Sequence, residues 1–314
     1  MKGSNRRAEG FDLENLREQI TRRRLLFGTA AVGGGWLLTN DSTREDHLTQ
    51  AEDRFVELAG TLNNADLVDP RQSSIHQEEV ENAINYVSDI LDEDLPDNSQ
   101  TDRRVSALNA ALGYYSQLAN TLDAGTSLRR VLTDSEYVVL YHNGTLENDP
   151  EDMYETDSFR NSIIKLSENE QNPEIVMSEE GKLVPNQQEI VDSLRTQRGV
   201  FDKHLTAQQM YLDSASAIKT SIRALEESQF EAARSTLTQA HESITTVISN
   251  LSDSYRLSAS GLSLNQYTAL LNLRKEGISE LLDVSESSVT EQRRQTATNS
   301  ALDLFFESRR IIIN

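Results

Sequence analysis

The chain has 314 residues, of which 51 are acidic and 30 basic, so its net charge is −21. The first 26 residues carry +3, which leaves −24 for residues 27–314. A body this acidic repels phosphate groups, which argues against nucleic-acid binding through it. Cysteine is absent, so disulfides, thiolate metal sites and a cysteine nucleophile are excluded.

Lysine is scarce among the basic residues, since only six of the 30 are lysine and the rest are arginine. An excess of carboxylates with little lysine resembles the proteins of salt-loving archaea, in which a hydrated acidic surface keeps the fold soluble. An ordinary acidic protein is the alternative. Disorder is disfavoured because 37% of the residues are apolar and most of them recur with helical period.

Near the N-terminus, two arginines precede a glycine-rich apolar stretch. Arg22 and Arg23 follow the hydroxyl residue Thr21, and the apolar stretch covers residues 25–38. At 14 residues it is shorter than the roughly 20 residues of a membrane-spanning helix. The pattern resembles a twin-arginine (Tat) export signal, which implies that residues 1–40 direct a folded protein across a membrane.

Two outcomes are expected for this segment, retention or cleavage, because no Ala-x-Ala cleavage sequence precedes residues 39–42. An uncleaved segment leaves the protein tethered to the membrane at its N-terminus, whereas cleavage releases it. The alternative to export is a buried helix that happens to follow an arginine cluster.

Beyond residue 42, apolar residues recur every three or four positions, which predicts amphipathic helices and an all-α fold. Breaks at asparagine, proline and glycine divide the first half into four helices that form an antiparallel bundle over residues 41–145. These helices are predicted over 47–62, from Ser73 or Ser74 to before Pro96, from 97–99 onward, and from Gly125 onward.

A loop-rich linker is predicted over residues 146–186. Asn143 and Gly144 form a strong turn signal before it, and one short helix is expected near 158–166. Residues 173–185 indicate a small hairpin or an extended loop. Asn143 also begins an Asn-x-Thr triplet, which makes it a candidate glycosylation site in an exported protein.

The clearest periodicity lies in the second half, residues 187–314. Apolar positions alternate in steps of three and four from Tyr211 to Leu225 and again from Phe230 to Leu251. The break at 227–229 between the two stripes predicts a long, coiled-coil-like helical hairpin. Its first helix begins as early as Gln187, although Gly199 leaves its continuity open. Two C-terminal helices are predicted over 265–282 and 290–313.

The predicted hairpin resembles one tetratricopeptide-like unit over residues 214–247. Phe230, Ala233, Leu237 and Ala240 stand where such repeats place an aromatic, a small, a bulky and a second small residue on their second helix. A true array requires about three copies to bury the faces of its helices. The chain contains one, so a repeat array is not predicted.

No pattern points to catalysis, a cofactor or a metal. Ser162 and Lys165, like Ser216 and Lys219, have the Ser-x-x-Lys spacing of penicillin-binding proteins, but the Ser-Asp-Asn and Lys-Thr-Gly elements are missing. The five histidines never share a helical turn. We therefore expect a non-enzyme.

The sequence favours an exported, acidic helical protein that binds or scaffolds a protein partner at the cell surface. The alternative is an extracytoplasmic protein that binds a small solute between its helices. Its pocket would be lined by four tyrosines of the first half: Tyr114, Tyr115, Tyr137 and Tyr141.

Overall fold

The computed structural model describes residues 44–93, 99–141, 156–168, 181–251 and 255–313. All of them belong to one compact unit, Thr43–Asn314. The described ranges contain eight α-helices and no β-strand, which confirms the all-α class. None of these helices is long and apolar enough to cross a membrane.

The helices are numbered here in chain order. Two of them, α3 and α5, are about 60–65 Å long. The eight are α1 (Arg44–Asn63), α2 (Ser73–Leu91), α3 (Ser99–Tyr141), α4 (Thr156–Glu168), α5 (Gln187–Glu226), α6 (Phe230–Asn250), α7 (Leu264–Leu282) and α8 (Glu291–Ile313).

The helices pack in two groups that share α3 and α5. Helices α1 to α4 pack with one another and with the beginning of α5, where the rings of Phe159 and Phe201 meet edge to face. The end of α5 packs with α6 and α7, and α8 lies along α7. Val139, near the end of α3, belongs to the same buried cluster as α5 to α8. The coiled-coil geometry of the hairpin and the division into domains stay predictions.

The connection between α1 and α2 is fixed by an ion pair at its end. Asp69 is 5% exposed and accepts hydrogen bonds from the Arg71 guanidinium, at 2.6 Å for the shortest, and from the Arg71 amide at 2.9 Å. Burial opposes ionisation of this carboxyl, but the hydrogen bonds from Arg71 outweigh it and lower the pKa of Asp69. The charged form therefore holds the turn that leads into α2.

The predicted break at Gly125 is wrong, because α3 runs without interruption from Ser99 to Tyr141. A Cβ atom at Gly125 would lie 3.1 Å from the Phe159 ring and 3.3 Å from the Gln197 side-chain oxygen. Glycine therefore stands here because α4 and α5 approach α3 closely. Gly199 leaves α5 unbroken as well, and nothing lies within 4 Å of its Cβ position.

The buried face of α5 differs in part from the predicted stripe. Tyr211, Ile218 and Leu225 are buried as expected. Ala215 and Ile222 are only half-buried, and the neighbouring serines, Ser214 and Ser221, are buried instead. The reason is that α5 contacts both α6 and α7, so its buried face is turned toward a second neighbour.

Helix α8 is held on α7 by a close backbone approach and by a buried arginine. The Cβ position of Gly277 lies 3.3 Å from the carbonyl oxygen of Ala301. Arg274 is 1% exposed, and its guanidinium carbon lies 3.5 Å from the Phe305 ring centroid and 4.5 Å from that of Tyr211. One cation thus stacks on rings from α5 and α8.

Candidate functional site

Two turns of the C-terminal helices lie side by side and enclose an open groove of about 830 Å³, here called the turn-end groove. One wall comes from the α5–α6 turn and the start of α6, and the other from the α7–α8 connection. The lining residues are Ser228, Gln229, Phe230, Glu231, Ala232, Arg234, Ser285, Glu286, Ser287 and Ser288.

The first wall is shaped by a Schellman turn that has serine in the position usually taken by glycine. Ser228 has a φ of 61°, and its amide donates to the carbonyl of Leu225 at 3.1 Å. The amide of Gln229 donates to the carbonyl of Ala224 at 2.8 Å. These two bonds satisfy carbonyls at the end of α5 and turn the chain sharply into α6.

Replacing Ser228 with glycine is expected to raise the free energy of unfolding by about 0.5–1 kcal/mol, because glycine adopts a positive φ without steric strain. Chemical denaturation at constant salt measures the change. Ser287→Gly is the control, since Ser287 is an exposed groove residue without a positive φ. Equal effects of the two substitutions would contradict a strained Ser228.

The groove carries charges of both signs, and the ion pair between them is weak. Arg234 donates to Glu286 across it at 3.1 Å, and the two side chains are 57% and 55% exposed. An ion pair this exposed stabilises a protein by about 1 kcal/mol or less, so either partner is readily exchanged. On the first wall, the half-buried Phe230 ring lies 4.5 Å from the Arg294 guanidinium carbon.

A second, smaller groove of about 460 Å³ lies between the end of α7 and the start of α8. It is mostly polar and has no aromatic side chain. Its walls are formed by Glu280, Asp283, Val284, Thr290, Gln292, Arg293, Thr296, Ala297 and Ser300.

A buried polar cluster, named here the Glu136 cluster, joins the end of α3 to the α6–α7 connection and to α7. Glu136 is 3% exposed, and its Oε1 accepts from the Leu262 amide at 3.0 Å and from the Tyr267 hydroxyl at 3.1 Å. The missing side chain of Gly261 makes room for Oε2, which lies 2.7 Å from the position that a Cβ would take. The Arg256 guanidinium donates to the carbonyl of Gly261 at 3.2 Å.

Burial raises the pKa of Glu136, although the hydrogen bonds from Leu262 and Tyr267 and the charge of Arg256 oppose this rise. A carboxyl with a raised pKa often marks a catalytic site, but here its partners belong to the fold itself. Neither groove is lined by a residue of this cluster. The arrangement therefore anchors the α6–α7 connection on α3.

The structure does not bring the four tyrosines of the solute-pocket hypothesis together. Tyr114 and Tyr115 are fully buried and pack edge to face, and the Tyr115 hydroxyl donates to the carbonyl of Leu183 at 2.9 Å. Tyr137 is 56% exposed and lies about 33 Å farther along α3. The Tyr141 side chain lies outside the described part of the structure.

The export and glycosylation residues, Arg22, Arg23 and Asn143, lie outside the described residues, as do the 25–38 stretch and most of 173–185. Within the ranges that the structure describes, no three histidine or acidic side chains are grouped to hold a metal ion.

Sequence reasoning missed the turn-end groove, although one signal for it was present. In a series of antiparallel helices, the first and third turns lie at the same end of the bundle. The break at 227–229 and the serine-rich connection at 285–288 are two such turns.

Fold and site define an all-α protein with open surface grooves at the turns of its C-terminal helices. In comparisons with known proteins, no family model, no curated protein and no solved structure matches the chain.

Proposed function

We propose that this chain is an exported, non-catalytic helical protein that binds a protein partner at the cell surface through the turn-end groove. The observation that carries the proposal is the groove itself, which combines hydroxyls, charges of both signs and an aromatic ring on an open surface. Pockets for small molecules are concave and bury most of the ligand. An open groove between two turns suits a polypeptide segment better.

The export half of the proposal is supported by the N-terminal sequence and by the composition of the body. Arg22 and Arg23 precede the apolar stretch in the order that twin-arginine signals have, and an all-helical body without cysteine needs no disulfides after export. The acidic, lysine-poor composition of the body favours a protein that works in concentrated salt, as the proteins of salt-loving archaea do. A retained signal would tether the protein to the membrane, and export would expose Asn143 to glycosylation.

Cell fractionation tests the export half. The double substitution Arg22→Lys with Arg23→Lys is expected to keep the protein inside the cell, because it preserves charge and removes the arginine pair. The matched control is Arg6→Lys with Arg7→Lys, which alters an arginine pair of the same segment away from the apolar stretch. An unchanged location of the first variant would contradict export by this route.

Site-specific cross-linking in intact cells tests the partner half. A photo-reactive amino acid at Ser287, in the groove, is expected to capture a discrete protein. The same group at Ser216, an exposed serine of α5 outside the groove, is expected to capture far less of it. Equal capture at the two positions, or none at Ser287, would contradict binding through the groove.

A further inference from the structure

The rim of the turn-end groove carries more carboxylates than cations. Glu231 and Glu286 line the groove and are exposed. The exposed Glu227 comes directly before the lining residue Ser228 and accepts a hydrogen bond from the Gln229 side chain at 3.1 Å. Arg234 is the exposed basic side chain that lines the groove. The local charge is therefore negative, with the same sign as the body.

One of these carboxylates, that of Glu286, is paired with a cation that another cation can replace. Glu286 binds Arg234 through a pair in which both side chains are more than half exposed. A guanidinium or ammonium group from outside can therefore take the place of Arg234 at small energetic cost. Ser287 and Ser288, which follow Glu286 on the second wall, have hydroxyls that supply further acceptors for N–H donors.

The first wall of the groove already binds a guanidinium. The Arg294 guanidinium lies over the Phe230 ring, and its Nη2 donates to the carbonyl of Val289. A carboxylate oxygen of Glu291 lies 3.5 Å from its Nε as an ion pair. An aromatic face, a carboxylate and a carbonyl oxygen are the groups that bind arginine in proteins. Of these three groups, the Phe230 ring lines the groove itself, together with the carboxylates of Glu231 and Glu286.

The charge of the rest of the chain favours the same kind of partner. Residues 27–314 sum to −24. A field of this sign speeds the approach of basic segments and repels acidic ones, and it weakens as salt is added.

From these contacts we infer that the segment bound in the turn-end groove is a basic stretch of polypeptide whose arginine or lysine side chains pair with Glu231 and Glu286. The inference rests on the proposed function and specifies the chemistry of the partner. Acidic segments are disfavoured by both the rim and the body.

Fluorescence anisotropy of labelled peptides on the full chain tests this inference. The probe is a blocked eight-residue peptide that alternates arginine and serine, and its counterpart has glutamate in place of arginine. The salt concentration is set where circular dichroism shows that every variant is helical. The arginine peptide is expected to bind and the glutamate peptide is not.

Two pairs of substitutions separate the groove from the general charge of the chain. Glu231→Gln with Glu286→Gln is expected to weaken binding of the arginine peptide about five-fold, because two direct ion pairs are lost. Glu78→Gln with Glu242→Gln makes the same change in net charge at exposed positions outside the groove, and less than about a two-fold change is expected.

The inference is overturned by equal weakening in the two pairs, by equal binding of the two peptides, or by no binding of either. It also fails when the protein captured at Ser287 meets the groove with a neutral or acidic segment, and the proposed function then still stands. Failure to capture any protein at Ser287 contradicts the proposed function instead.

Discussion

Replacing Glu136 with alanine is expected to lower the free energy of unfolding by about 3 kcal/mol, as measured by chemical denaturation at constant salt. The substitution removes the acceptor of both the Leu262 amide at 3.0 Å and the Tyr267 hydroxyl at 3.1 Å. Each donor is then left buried without that acceptor, which costs about 1–3 kcal/mol. Loosening of the 255–263 connection is expected to accompany the loss.

The matched control is Glu136→Gln, because the amide oxygen can still accept both hydrogen bonds and carries no charge. Burial is the main reason that the pKa of Glu136 is raised, so the folded chain holds this proton more tightly than the unfolded chain does. The contribution of Glu136 to stability is therefore full below the ordinary carboxyl pKa and falls as pH rises through the raised pKa. The glutamine variant lacks this dependence.

The free energy of unfolding of the natural chain, relative to that of Glu136→Gln, is thus expected to decrease as pH rises from the ordinary carboxyl pKa through the raised pKa of Glu136. Asp69, whose pKa is lowered, acts in the opposite direction and is common to both proteins, so it cancels in the comparison. A difference that grows with pH would contradict the assignment. A glutamine variant as unstable as the alanine variant would contradict it too.

Replacing Gly125 with alanine is expected to lower the free energy of unfolding by about 1–2 kcal/mol, even though alanine favours helix. The added methyl would lie 3.1 Å from the Phe159 ring and 3.3 Å from the Gln197 oxygen. Both side chains are fully buried and cannot withdraw easily. The packing penalty therefore exceeds the gain in helix propensity.

Two other glycines within long helices provide the control. Gly113 in α3 and Gly199 in α5 have nothing within 4 Å of their Cβ positions. Alanine at either position is expected to raise the free energy of unfolding by about 0.5–1 kcal/mol, because the unfolded chain loses freedom and the helix gains propensity. Denaturation midpoints of the three variants check this. A stabilising Gly125→Ala would contradict the close approach of α4 and α5.

The helical class and most helix positions could be predicted because apolar spacing is a local property of the sequence. The ends of the predicted 47–62 and 265–282 helices lie within three residues of those of Arg44–Asn63 and Leu264–Leu282. Gly125 was misread because its reason is not local. It stands beside Phe159 and Gln197, residues of two other helices, and single-sequence reasoning interprets such a glycine as a break.

The candidate site was less predictable, since it depends on which turns become neighbours. Tyr115 and Tyr137 belong to the same helix, yet one lies in the core and the other on the surface. Likewise, the sequence around Glu286 and Ser287 is that of an ordinary solvated turn. Only the fold shows that Arg234, 52 residues earlier, lies 3.1 Å from Glu286. The sequence contains each residue of the groove but not their juxtaposition.

Hydrogen exchange measured by mass spectrometry tests the central claim most directly. The purified chain alone is compared with the chain in the complex that cross-linking at Ser287 identifies. We predict slower exchange on complex formation in residues 228–234 and 285–288, with α1 and α2 unchanged. Protection confined to other helices, or no change at the turn-end groove, would contradict partner binding through this groove.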